Sequence, residues 1–173
     1  MRQKNKNTTT NGVLATQISV SPYKENMKSY NNRKYKFSFN YPPSLDITEE
    51  KPEMIIFGDT NGGPWYLGVK IEPTTFSEPR QRVNQINQEF SDREIKDNRV
   101  TNAENYLITR QIVEKQIPID GYPALMTHEV SVWPGNGEES PEKTVFFIKD
   151  KHLFTIYTRE AEENIWNSFK FEK

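Results

Sequence analysis

The sequence contains no cysteine and only two histidines, His128 and His152. The absence of thiols excludes disulfides, thiolate zinc sites, iron–sulfur clusters and a cysteine nucleophile, and two histidines leave little room for multi-histidine metal catalysis. Hydrophobic residues make up only 34% of the 173 residues, and no apolar run approaches the roughly 18 residues that a membrane helix needs. Composition alone therefore predicts one globular domain with a polar tail.

Charge divides the chain into two parts. Residues 1–34 carry seven basic side chains and one acidic side chain, whereas residues 35–173 carry 16 basic and 23 acidic ones. Dispersed bases on an acidic body provide no surface that follows phosphates, so the folded part is not expected to bind nucleic acid. The basic tail has two interpretations, a solvated linker or a contact with anionic lipid.

Residues 1–34 are rich in Asn, Thr, Lys and Gln, a composition typical of disordered segments. They contain no apolar core of a signal peptide. If the sequence is complete as written, we expect a cytoplasmic protein. If an anchor lay upstream, the polar segment is a spacer, and we expect a domain in the cell envelope or secreted.

The folded part, residues 35–173, begins with an alternation of aromatic and polar residues that is typical of a half-buried strand. Similar patterns, separated by turn residues, predict about seven strands at 35–41, 54–57, 65–71, 106–117, 122–133, 144–149 and 152–158.

Two helices are predicted, at 79–91 and about 160–168. In the first, Val83, Ile86 and Phe90 form one apolar stripe. The polar stretches 91–105 and 134–143 are predicted to be loops. Helices separated by runs of antiparallel strands indicate an α+β domain.

Four segments resemble those of PsbP-like domains: YKFSFNYPPS at 35–44, IDGYPA at 119–124, FFIKDKHLFTIYT at 146–158 and IWNSFKF at 165–171. The resemblance implies an antiparallel sheet of about seven strands between helices, in α/β/α layers. It covers residues 35–173 and leaves the tail unmatched.

The same resemblance carries an expectation about function. PsbP-like relatives include the PsbP extrinsic subunits of photosystem II, Mog-type Ran-binding proteins and bacterial envelope proteins, most of which are not enzymes. It implies a monomeric, non-catalytic binding or assembly module that is tethered at the envelope, outside the cytoplasm, and binds a protein partner. One alternative is a cytoplasmic GTPase-binding protein of the Mog type.

Aromatic residues beside turns are the candidate partner-binding residues. Trp65 and Tyr66 follow a glycine-rich turn, and Trp133 precedes another. Such side chains bury a large area at a low entropic cost. The alternative interpretation places them in the two faces of the sheet.

A second alternative, a small metal-dependent enzyme or metal-binding protein, depends on the histidines and acids. His128 and His152 could meet across neighbouring strands and bind one metal with Glu129 or Asp150 nearby. Asp92, Glu94 and Asp97 could supply oxygen ligands for calcium or manganese from one loop, although a solvated acidic loop is the favoured interpretation. No cofactor is expected; calcium, manganese and zinc are the metals that these residues would suit.

Glu138, Glu139 and Glu142 could pair carboxylates for glycoside hydrolysis only if a second wall faced them. The sequence contains no P-loop, dinucleotide fingerprint or nucleophile elbow.

Overall fold

The computed structural model describes residues 26–60, 67–97, 108–133, 136–159 and 163–172. Its elements, in chain order, are β1 (Lys28–Asn32), β2 (Phe37–Tyr41), β3 (Leu45–Lys51), β4 (Met54–Asp59), β5 (Leu67–Pro73), α1 (Pro79–Asp97), β6 (Ile108–Ile119), β7 (Tyr122–Trp133), β8 (Asn136–Lys149), β9 (His152–Thr158), α2 (Glu163–Ser168) and β10 (Lys170–Phe171). The strands form a larger sheet of order β3-β4-β5-β9-β8-β7-β6 and a smaller sheet of order β1-β2-β10. Neighbouring strands in both sheets are antiparallel.

The smaller sheet begins inside the segment predicted to be a disordered tail. Strand β1 pairs with β2 from Lys28 to Asn32, so the boundary predicted after residue 34 was wrong; residues 1–25 lie outside the described part. Tyr30 is buried, and its hydroxyl donates to Glu50 over 3.2 Å. Burial and the Glu50 carboxylate raise the pKa of Tyr30 to about 12.

Tight turns set the register of the long hairpins in the larger sheet. The β8–β9 turn places Asp150 and Lys151 at φ of 49° and 60°, and the β6–β7 turn places Asp120 and Gly121 at 47° and 87°. Two successive residues with positive φ match the twist of antiparallel strands. The loop predicted at 134–143 was wrong, because β8 begins at Asn136 and pairs with β7.

One face of the larger sheet is closed by the smaller sheet and α2. Phe39 stacks on Phe169 with ring centroids 4.6 Å apart, and Phe147 stacks on Phe154 at 4.7 Å. The same cluster takes in Trp166 of α2. This aromatic layer is the main hydrophobic core of the protein.

The opposite face is covered in part by α1. Gln81 Oε1 accepts the backbone N–H groups of Ser77 and Glu78 over 2.7 and 3.3 Å, which caps the start of the helix. Val83 then packs on Leu125 in a second, smaller core cluster. The helix ends at Asp97, not at residue 91 as predicted. The rest of the predicted loop, residues 98–105, lies outside the described residues.

The predicted α+β sandwich is confirmed, with one refinement of its layers. α1 covers one face, whereas the smaller sheet and α2 together cover the other. Within the described ranges, no helix is long and apolar enough to cross a membrane.

Candidate functional site

An open groove of about 500 Å³ lies on the α1 face of the larger sheet. The helix contacts β6, β7 and β8, and the described residues leave the surface beside it, toward β4 and β5, open. The groove is lined by Met54, Ile55, Ile56, Gly68, Val69, Lys70, Glu72, Arg82, Ile86, Gln111, Glu129, Glu142, Thr144, Phe146, Thr155 and Tyr157.

The pairing of the strands orders these residues across the floor of the groove. Lys70 lies opposite Thr155, and Thr155 lies opposite Phe146. In the neighbouring row Gly68 pairs with Tyr157. Because Gly68 has no side chain, the floor is bare there. The floor thus passes from apolar side chains on β4 to hydroxyl groups on β8 and β9.

Hydrogen bonds fix the polar end of the groove. The hydroxyl of Thr127, fully buried, lies 2.6 Å from Oε1 of Gln111. Gln111 Nε2 donates to Oε2 of Glu129 over 3.2 Å. The backbone of Gln111 is bound by the side-chain amide of Asn87 on α1, at 2.9 and 3.0 Å. Helix and sheet therefore hold Gln111, and Gln111 holds Glu129.

Burial sets the electrostatics of this end. It raises the pKa of the Glu129 carboxyl, and the nearby Glu142 raises it further. Burial also raises the pKa of the Tyr157 hydroxyl, so this phenol is protonated at neutral pH. Farther along the groove Lys70 Nζ and Glu72 Oε2 form an ion pair at 2.7 Å.

The carboxylates of the groove do not form the pair that glycoside hydrolysis needs. Glu129 and Glu142 belong to the neighbouring strands β7 and β8 and line one wall. Glu72 is on β5, three strands from β7, a lateral separation of about 14 Å. Flanking a glycosidic bond requires two carboxyls about 5–9.5 Å apart on opposite sides. The arrangement instead suits hydrogen bonding and charge recognition.

The two histidines are far apart. His128 lies opposite Lys143 on β8, and His152 lies opposite Lys149 on the same strand. Six residues of strand span about 20 Å, so the two rings do not share a metal. His152 Nδ1 lies 2.9 Å from the carbonyl oxygen of Asp150, and its ring packs edge-on to that of Tyr35.

His128 belongs to a small charged cluster with Glu114 and Lys143. His128 Nδ1 lies 3.0 Å from Glu114 Oε1, close enough for an ion pair when the ring is protonated, although the ring N–H does not point toward that oxygen. Lys143 Nζ contacts the same oxygen. Lys143 first, and His128 to a smaller degree, lower the pKa of Glu114. These contacts favour a structural ion cluster.

The side chains of the remaining predicted site residues, Asp92, Glu94 and Asp97, lie outside the described residues. Asp92, Glu94 and Asp97 lie in α1, not in the predicted loop. Among the described residues, no group of three or more His, Asp or Glu side chains could hold a metal.

The predicted aromatic anchors fall outside what the structure describes. Trp65 and Tyr66 precede β5 in the range 61–66, which lies outside the described residues, and Trp133 ends β7 with its side chain outside them. Their role in partner binding stays a prediction.

Glu129 and Glu142 were considered in the sequence for other sites, and the other groove residues were missed because each one is unremarkable alone. A signal exists in the strand pattern, since Gln111, Thr127, Thr144 and Thr155 are polar yet buried. All four occupy strand positions where apolar residues would complete a core face. Only the pairing of β6 to β9 brings them to one surface.

No protein-family model and no curated protein matches this sequence. Among solved structures, the solution structure of cyanobacterial PsbP (CyanoP) from Synechocystis sp. PCC 6803 is similar at a TM-score of 0.55 and 15% identity, over 93% of this chain and 100% of that chain. The Ran-binding protein Mog1p of Saccharomyces cerevisiae gives a TM-score of 0.47 at 8% identity, over 84% and 95% of the two chains. A crystal structure from Bacteroides thetaiotaomicron VPI-5482 gives 0.47 at 14%, over 84% and 48%.

The likeness to cyanobacterial PsbP defines the class of the fold. The chain is an α+β sandwich with the PsbP-like fold, as its sequence resemblance implied.

Proposed function

We propose that this protein is a non-catalytic binding module that holds a protein partner in the groove beside α1. The observation that carries the proposal is the open groove itself: α1 leaves about 500 Å³ of the sheet face uncovered, lined by both apolar and charged side chains. Concave, largely preformed sites of this kind are where proteins usually bind ligands.

The chemistry of the lining residues favours binding over catalysis. The described residues that line the groove include no histidine. Tyr157 stays protonated at neutral pH because burial raises its pKa, and it therefore offers no general base. Threonine hydroxyls, an amide, carboxylates and the cations of Lys70 and Arg82 remain, and these groups recognise polar atoms of a partner.

Two matched substitutions test whether the groove is the binding surface. Ile56→Arg puts a charge on the apolar wall of the groove, whereas Ile112→Arg makes the same change on β6 at an isoleucine that is 46% exposed and does not line the groove. We expect proteins crosslinked to the full chain in extracts of its source cells to be lost with Ile56→Arg and retained with Ile112→Arg. Equal retention by both variants would show that the groove is not the binding surface.

The location and the partner class also remain proposals. A place in the cell envelope is supported by the PsbP-like resemblance and by the long polar segment before residue 26. The alternative, binding of a GTPase in the cytoplasm, comes from the Mog-type branch of the sequence resemblance. Fractionation of source cells separates the two, because an envelope protein appears outside the cytoplasmic fraction.

A further inference from the structure

We propose that the groove binds an extended peptide segment of its partner with a lysine or arginine over Glu129 and an apolar residue over the β4 wall. This inference rests on the proposed function and names the chemistry of the partner. It follows from the order of charge and apolar surface along the groove.

Glu129, at the acidic end of the groove, forms no ion pair with a cation of the described structure. Three carboxylates and two bases line the groove. Of the bases, Lys70 forms an ion pair with Glu72, and Arg82 Nη1 donates to Gln85 Oε1 over 2.9 Å. Glu129 is instead met by the neutral amide of Gln111. An incoming cation would complement the charge of Glu129.

Glu129 is held in place before any ligand arrives. Its hydrogen-bond donor, Gln111, is fixed by the buried Thr127 hydroxyl and by Asn87. A carboxylate held by neighbours that do not need to reorganise binds a cation at a lower entropic cost. Burial and the nearby Glu142 both disfavour the ionised form of Glu129, and a bound ammonium or guanidinium group would oppose both effects.

The β4 end of the groove is apolar and favours an apolar residue of the bound peptide. Met54 and Ile56 on β4 are only partly buried and form its wall. Four strand spacings separate β4 from β7, which is about 19 Å, the reach of roughly six residues of extended chain. Between the two ends, Thr144, Thr155 and Tyr157 supply polar side chains. A single lysine side chain is too short to use both ends, so the occupant is a peptide segment.

The test is an amide NMR titration of the full chain with two hexapeptides of one design. The first has lysine at its start, leucine at its end and alternating Ser and Ala between them; the second replaces lysine with uncharged norleucine. We expect saturable shifts near residues 127–129 and 54–56 with the lysine peptide, and at least fivefold weaker binding of the norleucine peptide.

Glu129→Gln should remove the difference between the two peptides. Glu72→Gln is the matched control, because it changes a groove carboxylate that is already paired with Lys70, and we expect it to keep the difference. Raising the salt concentration should weaken the lysine peptide more than the norleucine peptide.

The results separate this inference from the proposed function. Equal binding of both peptides, or a lysine preference that survives Glu129→Gln, overturns the charge assignment and leaves groove binding intact. Failure of both peptides to bind, in a protein whose partner is still lost with Ile56→Arg, likewise overturns only the peptide chemistry. Retention of that partner by Ile56→Arg overturns the proposed function itself.

Discussion

The two faces of the larger sheet are built in different ways. The face under the smaller sheet and α2 is closed by stacked aromatic rings, among them Phe39, Phe147 and Phe169. The face under α1 has a small apolar cluster around Leu125 and Phe146. Beside it lie a polar strip, formed by the buried side chains of Gln111, Thr127, Thr144 and Thr155, and the open groove. Close packing of apolar side chains stabilises a fold, whereas polar groups on an uncovered face add little stability and remain available to a ligand. We infer that the aromatic face carries most of the stability and the α1 face carries the binding.

The largest expected effect compares one phenylalanine from each face. Phe169→Ala removes a fully buried ring that stacks on Phe39 and Phe37, and we expect it to lower the free energy of unfolding by about 3–5 kcal/mol. Phe146→Ala should cost less, about 3 kcal/mol or below, because the space it leaves adjoins the groove and water can enter it. Urea unfolding of both variants gives the two values. A larger loss for Phe146→Ala would contradict the assignment of stability to the aromatic face.

The aromatic face is also the part of the molecule that the sequence predicted best. The alternation of Phe37, Phe39 and Tyr41 with polar residues is a local signal, and so is the tight turn at Asp150-Lys151. Both the strand and the hairpin are confirmed. The seven-stranded antiparallel sheet follows from such local patterns because most of its neighbouring strands are also neighbours in sequence.

The elements that were mispredicted depend on tertiary contacts. Strand β1 has one aromatic residue, Tyr30, and forms because β2 offers it a pairing edge. The start of β8 is rich in Gly, Glu and Pro, yet the long partner β7 holds it as a strand. The end of α1 lacks an apolar stripe, but its arginine, glutamate and lysine residues are good helix formers.

The candidate site could not be predicted for the same reason. Its residues come from β4 to β9 and α1, and their meeting depends on register across the whole sheet. Glu142 was considered as part of an acidic loop, and only the pairing of β8 places it near Glu129.

The polar strip of the α1 face gives an effect of intermediate size. Thr127→Val removes a buried hydroxyl that lies 2.6 Å from Gln111 Oε1 and 3.3 Å from the carbonyl oxygen of Thr144. Leaving the Gln111 oxygen without this donor should lower the free energy of unfolding by about 1–3 kcal/mol. Thr127→Ser keeps the hydroxyl and is the control, with an expected loss of about 0.8 kcal/mol for one methyl group. Denaturant titration of the two variants decides the matter: equal losses would mean that the hydrogen bond is not what stabilises the strip.

The two smallest expected effects concern the carboxylates Glu114 and Glu129, and they change the free energy of unfolding in opposite directions. Lys143 and His128 lower the pKa of Glu114, so the folded protein favours the ionised form. The ionised Glu114 carboxylate stabilises the fold at any pH above its pKa in the unfolded chain. This contribution is lost as the pH falls through its pKa in the folded protein. Glu114→Gln should therefore lower the free energy of unfolding at pH 7, by about 0.2–1 kcal/mol for a partly exposed pair, and should lose this effect in acid.

Glu129 on the groove face should behave in the reverse way. Burial and Glu142 raise its pKa, so the folded protein binds a proton more readily than the unfolded chain does. Stability then falls as the pH rises from the unfolded pKa through the folded pKa, and the ionised group remains unfavourable at neutral pH. Glu129→Gln should raise the free energy of unfolding at pH 7 and converge on the unmodified protein below the unfolded pKa. The other charged or titratable groups lining the groove, Lys70, Glu72, Arg82, Glu142 and Tyr157, are kept in both proteins. Unfolding measured from pH 3 to pH 8 checks the sign: a gain of stability with Glu129→Gln at pH 7 would mean that the ionised carboxylate costs the fold stability, as its raised pKa implies, and a loss would mean that the carboxylate stabilises the fold.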